Sequence, residues 1–327
     1  MESHLQTVLE AVRRAALLCE TVADGLTGED TARKEDRSPV TVADFGSQAL
    51  IIHALRKAFP REAVVAEEDT RLLRKDDGLL KRVSEAVQSV DPSLSREDIL
   101  TCIDGGDEPP DFHDVYWTLD PIDGTKGFLR GDQYAVALAK IDQGQVCLAV
   151  LACPRFSLNE KDTGTGSLAW AVRGKGAWIR SLTGKGANPL RVDSVKDPRN
   201  ARFCESWERG HGTHEVHEGI AARLGISRPS LRMDSQAKYL AVARGDVSLY
   251  LRLARGKAYR EKIWDHAAGA LLVAEAGGRV TDFASRTLDF SQGRRLENHV
   301  GILVSNGHWH DVILDAVRAE TGGSPAV

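Results

Sequence analysis

The stretch VYWTLDPIDGT, residues 115–125, decides how the rest of the chain is read. The mostly apolar residues 115–119 suit a buried strand. Two carboxylates follow at its carboxyl end, Asp120 and Asp123. Pro121 fixes one backbone angle between them, and Gly124 permits close backbone approach. A helix or turn opening at Gly124-Thr125 would present free N–H groups that suit a phosphate. Magnesium takes one or two carboxylates together with substrate phosphate. The plain alternative is an Asp-Pro turn with a solvated carboxylate.

Downstream of this strand the pattern is antiparallel. Residues 134–141 and 146–152 flank Asp142-Gln143-Gly144-Gln145, a hairpin signal. Residues 168–172 and 177–180 flank another Gly-containing turn. Strands at 201–205, 248–253 and 301–304 then alternate with helices at 214–224, 236–243 and 265–276. Gly277-Gly278 stops the third helix, and a last helix closes the chain. Upstream, Leu5, Val8, Leu9, Val12, Ala16, Cys19 and Val22 fall at helical spacing. Residues 25–37, charged and with two glycines, read as a mobile loop ending at Ser38-Pro39. Residues 47–59 read as a second helix, and 63–66 as a short strand running into Glu67-Glu68. Residues 71–114 are polar and mixed, with helical pieces. Hairpins first and alternation second predict layered helices and sheets in two halves. They divide near 154–166, giving an α+β half at 1–157 and an α/β half at 158–327.

Bulk composition narrows the function classes. The chain has 327 residues, enough for a well-buried core. Net charge is −4, so general attraction to a nucleic acid polymer or an anionic membrane is not expected. No apolar run reaches spanning length. The first ten residues carry charge early and do not read as a signal or transit peptide. A cytoplasmic setting is the default, with chloroplast or mitochondrion open if a transit peptide has been removed. The five cysteines, Cys19, Cys102, Cys147, Cys153 and Cys204, form no CxxC and read as reduced thiols. Cys147 and Cys153 share one expected strand. Six strand residues span about 20 Å, too far for the roughly 6 Å of a disulfide.

Three more carboxylate positions stand at strand ends or helix starts. Glu67-Glu68 could be a solvated edge, or Glu67 could face Asp120 and Asp123, where a cation would relieve the repulsion. Asp44 precedes a helix and could be its N-cap, and Asp265 opens another helix with the same plain reading. Together the four positions could gather acidic groups around two or three metal ions, an arrangement that fits phosphate hydrolysis.

The residues 120–125, Glu67-Glu68 and WDHAAG at 264–269 resemble the lithium-sensitive, magnesium-dependent phosphatase superfamily that includes inositol monophosphatase. SPVTVADFGSQ at 38–48, KGFLRGDQYAVAL at 126–138, DSQAKY at 234–239 and EKIWDH at 261–266 are similar to the 3'(2'),5'-bisphosphate nucleotidases. The resemblance runs from about residue 11 to 317. It implies a layered αβαβα sandwich of the inositol monophosphatase and sugar phosphatase type. It implies two or three Mg2+ held by Glu67, Asp120, the Ile122 carbonyl, Asp123 and Asp265, mostly in the first half. Asp44 and Thr125 would activate the attacking water, and Glu67 would help orient it. The substrate would be adenosine 3',5'-bisphosphate or its 5'-phosphosulfate relative, losing the 3'-phosphate, and lithium would inhibit. Gly124, Thr125 and Asp265 would also touch substrate, with His211, Ser235, Lys238 and Arg252 as nucleotide contacts in the second half. The plain readings of the last three are an N-cap serine, a surface lysine and a strand-edge arginine. The loop at 25–37 would close over the site, and a monomer is expected. Inositol polyphosphate 1-phosphatase activity and a non-catalytic nucleotide sensor are the competing readings.

Overall fold

The computed structural model describes residues 2–107, 110–158, 165–207, 213–253, 256 and 259–321. The chain opens with helix α1 (Glu2–Asp24), then a tight turn at Gly28–Asp30. Strands β1 (Thr31–Arg33) and β2 (Pro39–Thr41) pair antiparallel, and α2 (Val42–Ala58) follows at once. Residues 25–37 thus carry ordered structure where the sequence reading places only a loop, because the turn at 34–38 brings the chain back on itself, Lys34 N donating to the Ser38 carbonyl at 2.9 Å. Helix α2 begins at Val42, five residues before the predicted start. Thr41 explains this: its hydroxyl accepts from Ala43 N and Asp44 N at 3.2 and 3.4 Å and caps the helix.

The next elements are β3 (Ala63–Ala66), α3 (Asp77–Val90), α4 (Arg96–Asp104), β4 (Tyr116–Asp123) and α5 (Thr125–Arg130). Then come β5 (Ala135–Asp142), β6 (Gln145–Cys153), β7 (Ser167–Val172), β8 (Ala177–Ser181) and β9 (Asn188–Pro189). The remainder is β10 (Phe203–Glu205), α6 (Thr213–Leu224), β11 (Leu231–Arg232), α7 (Ala237–Arg244) and β12 (Leu249–Arg252). It closes with α8 (Ala267–Glu275), β13 (Arg279–Thr281), β14 (Ile302–Ser305) and α9 (His310–Glu320).

Strands β3 to β9 form one sheet in sequence order, and the second sheet runs β11-β10-β12-β14-β13. Residues 167–189, expected in the C-terminal half, hydrogen-bond into the first sheet through β6. The hairpin pattern simply continues past 157.

Three cores hold five layers together, the middle one enclosing a helical layer between the two sheets. Along β5, Val136 and Leu138 point into a core shared with α1 and α2. Their neighbours Ala135, Ala137, Ala139 and Ile141 point into a core shared with α7, α8 and one face of the second sheet. A third core joins the outer face of that sheet to α6 and α9. Both faces of β5 are covered, so it reads as a near-continuous apolar run. The order helix, sheet, helix, sheet, helix is the αβαβα sandwich that the resemblance implies. All five cysteines carry free thiols, and Cys147 and Cys153 do lie on one strand, β6.

Buried His310 joins three elements. Its Nε2 meets Thr281 Oγ1 and its Nδ1 meets Ser305 Oγ, both at 2.8 Å. Burial, with Arg279 adding to it, pushes its pKa down to about 4. The unfolded value is near 6.5, so protonation favours unfolding. This stability is full above pH 6.5 and is lost as pH falls toward 4, by ~3 kcal/mol. Urea midpoints across that window should show the loss, and His310→Gln should flatten it.

Candidate active site

Strands β3 and β4 run parallel, with Ala66 opposite Leu119. They therefore end side by side, and Glu67-Glu68 emerge next to Asp120. Pairing of β4 with β5 breaks between Asp120 and Asp123. Pro121 has no N–H for the ladder, and the irregularity re-aims the carboxylates. Asp120 Oδ1 accepts from Ile122 N at 3.1 Å, which fixes its side chain inward. Asp265 ends a short turn, Ile263–Asp265, ahead of α8. The N-cap of α8 is His266, so the capping reading of Asp265 fails. Asp44 lies in the first turn of α2, not before it, and Thr41 is the cap.

Asp44 and Asp120 are buried, and Glu67, Asp123 and Asp265 are half-buried. Burial pushes Asp120 well above the usual carboxylate range, and Glu67, Asp123 and Asp265 add to the rise. Burial likewise raises Asp265, with Asp123 adding and Arg252 opposing. Asp123 and Asp44 are pushed up to about 6 by burial, against favourable contacts from Lys238 and from Thr41 respectively. Each group's ionisation is opposed by the others, so they act as one cluster. Oxygen ligands massed in this way fit a hard cation, whose charge would relieve the repulsion.

The sequence reading did not single out Lys34, on the connection between β1 and β2. Its ammonium bonds Glu67 Oε1 at 2.7 Å and Glu68 Oε1 at 2.5 Å. Burial lowers the lysine pKa, but the two glutamates outweigh it and raise it. Gln48 holds the Glu68 backbone from below, donating to its carbonyl and accepting from its N–H. Lys34 thus places a positive charge where Glu67 is expected to meet a metal. Lys34→Met should lower the magnesium concentration for half-maximal rate several-fold. It should also cost ~3 kcal/mol in metal-free stability, because Glu68 is left buried and unpaired. A magnesium titration of rate and a urea melt check the two effects.

Among the described residues, one trio brings possible ligand atoms within 4.8 Å of one another: Glu261, Asp265 and His266. Two of its members are already engaged. Arg252 donates to Glu261 from Nε and Nη2 at 3.0 and 3.1 Å. His266 Nε2 lies 3.3 Å from Glu261 Oε2, and its Nδ1 lies 2.7 Å from the Tyr239 hydroxyl. Both imidazole nitrogens are thereby occupied, which leaves Asp265 to face the carboxylate cluster.

Thr125 opens α5 directly after Gly124, whose φ is +88°. A side chain at 124 would be strained there, and its Cβ would come within 3.0 Å of Ser235 Cβ. Thr125 Oγ1 lies 3.3 Å from Asp44 Oδ1 and 3.2 Å from the Ile122 carbonyl, with one proton to donate. The other Asp44 oxygen accepts from Thr41 N and Oγ1 at 2.8 and 2.6 Å.

Opposite stand the residues expected to meet a nucleotide. Ser235 and Lys238 do not share a helix face. Ser235 precedes α7 in a left-handed backbone, φ +67°, and Gln236 takes the N-cap position. Gln236 N donates to Asp123 Oδ2 at 2.6 Å, tying this turn to the acidic cluster. Lys238 is no surface lysine, being only 3% exposed. Its ammonium meets the Met233 carbonyl at 3.5 Å and sits 5.2 Å from the centre of the Tyr250 ring. Burial lowers its pKa, with Asp123 opposing. Arg252 lies on β12, between β10 and β14, and not at a sheet edge. Glu261 occupies its Nε–Nη2 side. His211 lies outside the described residues. Among the described residues no helix is long and apolar enough to cross a membrane.

Comparisons with known proteins agree with this fold. The model of the inositol monophosphatase family matches residues 1–321. A 3'(2'),5'-bisphosphate nucleotidase of Oryza sativa is 44% identical, over 97% of this chain and 94% of its own. One from Schizosaccharomyces pombe is 40% identical, over 99% and 97%. Among solved structures, Thermotoga maritima IMPase superposes with a TM-score of 0.68 at 21% identity, covering 98% of this chain and 99% of its own. With its αβαβα layers and its acidic cluster at the ends of β3 and β4, the chain belongs to the inositol monophosphatase family, whose members are generally metal-dependent hydrolases.

Proposed function

We propose that the chain is a 3'(2'),5'-bisphosphate nucleotidase that removes the 3'-phosphate of adenosine 3',5'-bisphosphate, and of its 5'-phosphosulfate relative. The observation that carries this reading is a buried, under-satisfied ammonium, Lys238, tied through its own turn to a partly buried acidic cluster. A cluster of carboxylates alone would repel a phosphate. A cation beside it makes room for a second anionic group on the same substrate.

Glu67, Asp120, the Ile122 carbonyl, Asp123 and Asp265 would hold two or three Mg2+. Bound magnesium supplies charge neutralisation for the transferred phosphate and a lowered pKa for water. Thr125 Oγ1 accepts a proton from the attacking water while passing its own to Asp44 Oδ1. Asp44 is suited to receive it, because burial brings its pKa toward neutrality. Thr41 holds Asp44 in place, and Gly124 lets Ser235 lie close against the backbone just before α5. Lys238 and Arg252 bind the distal phosphate and fix which ester faces Thr125. A small nucleotide bisphosphate, and no polymer, fits such a site.

The test is a phosphate-release panel with magnesium, with and without lithium. Adenosine 3',5'-bisphosphate and its phosphosulfate should turn over fastest, and lithium should inhibit both. A comparable rate on inositol 1,4-bisphosphate would overturn the nucleotide assignment. No phosphate release from any substrate would favour a sensor instead.

A further inference from the structure

The side of Arg252 turned away from Glu261 still has N–H groups to offer. Two of its five donors are held by Glu261, and Nη1 forms no hydrogen bond among the described residues. An arginine pinned along one edge loses little freedom when its other edge meets a phosphate, because its orientation is already set. The pin is itself braced. Glu261 is 5% exposed and His266 and Tyr239 are 1% exposed. The Glu261 carboxylate can only accept, so His266 Nε2 donates to its Oε2, while Nδ1 meets the Tyr239 hydroxyl. Gly269 completes the brace: a Cβ at this position would run into the Tyr239 ring, so only glycine lets α7 and α8 approach this closely. The backbone contributes too, since Leu296 N donates to the Glu261 carbonyl at 2.9 Å.

We infer that Tyr239, His266 and Glu261 form a positioning relay that aims Arg252 at the second phosphate and so sets the preference for bisphosphates over monophosphates. None of the three need touch the substrate. The inference rests on the nucleotidase reading and on Arg252 meeting the distal phosphate. It adds the residues that make that contact selective. A mere packing role would affect all substrates alike, whereas a positioning role affects only those with the phosphate that Arg252 meets.

The experiment compares adenosine 3',5'-bisphosphate with 3'-AMP, taking the ratio of their kcat/KM values. Glu261→Gln keeps the shape and removes the charge that holds the guanidinium. The ratio should fall about tenfold, chiefly through KM for the bisphosphate, the worth of one charge-assisted hydrogen bond. Tyr239→Phe, a milder change, should lower it about threefold. Arg252→Gln should lower it at least as far as Glu261→Gln. The double variant Glu261→Gln/Arg252→Gln should fall no further than Arg252→Gln alone, because both changes remove one contact. An unchanged ratio in both Glu261→Gln and Tyr239→Phe would sink the relay. So would equal losses on the two substrates, additive effects in the double variant, or a raised magnesium requirement with the ratio intact. A wild-type protein with no preference for the bisphosphate would instead overturn the nucleotidase reading itself.

Discussion

Asp120→Asn should lower phosphate release by ~1,000-fold, about 4 kcal/mol of barrier, while making the metal-free protein more stable. Asp120 is 2% exposed, and burial together with three neighbouring carboxylates opposes its ionisation. Asparagine keeps the oxygen that accepts from Ile122 N and removes the charge. The folded protein then no longer holds a carboxylate among its own kind. The metal-free melting temperature should rise by roughly 3 °C. The same charge is what would hold a cation near the reacting phosphate, so turnover collapses as stability improves. Such opposition is a recurrent property of active sites. A phosphate-release assay and a thermal melt in chelator measure the two effects. Near wild-type turnover would remove Asp120 from the metal set, and a lower melting temperature would mean that its role is structural.

Thr125→Ala should reduce kcat by ~100-fold and leave KM within about threefold, the signature of a group acting in the transition state. Thr125 reaches Asp44 Oδ1 and the Ile122 carbonyl from one hydroxyl. Alanine deletes both contacts but leaves Gly124 and the start of α5 intact, so binding has little reason to change. Thr125→Ser should restore most of the rate. A rise in KM alone, measured by steady-state kinetics, would assign Thr125 to binding and leave Asp44 without its relay.

Much of this was legible in residue order. The pattern of 115–125 placed a strand before two carboxylates; β4 is that strand, running on through both of them to Asp123. Glu67 could be put beside Asp120 only by guessing at the pairing of β3, since a four-residue strand carries no statement of its partner. Asp44 and Asp265 were ambiguous because an acidic residue near a helix start reads as a cap. Thr41 and His266 hold the cap positions, and that was visible only in three dimensions. Lys34 went unnoticed for a related reason: a lysine in a charged segment looks like every other solvated lysine. Glu261 and Tyr239 lie in the quoted motifs, but their alliance with Arg252 spans separate elements. No spacing along the chain encodes it.

The middle layer, α7 and α8, fills a core whose walls are both sheets. A cut between β9 and β10 would strip that layer from the first sheet and leave an oily face open to water on each fragment. The two halves are therefore not modules that evolution could shuffle separately. Asp265 arrives at the start of α8 within electrostatic reach of Asp123 on β4, so under the proposed mechanism catalysis begins only once the two halves have condensed. Any chain that is active has, by that fact, completed its folding.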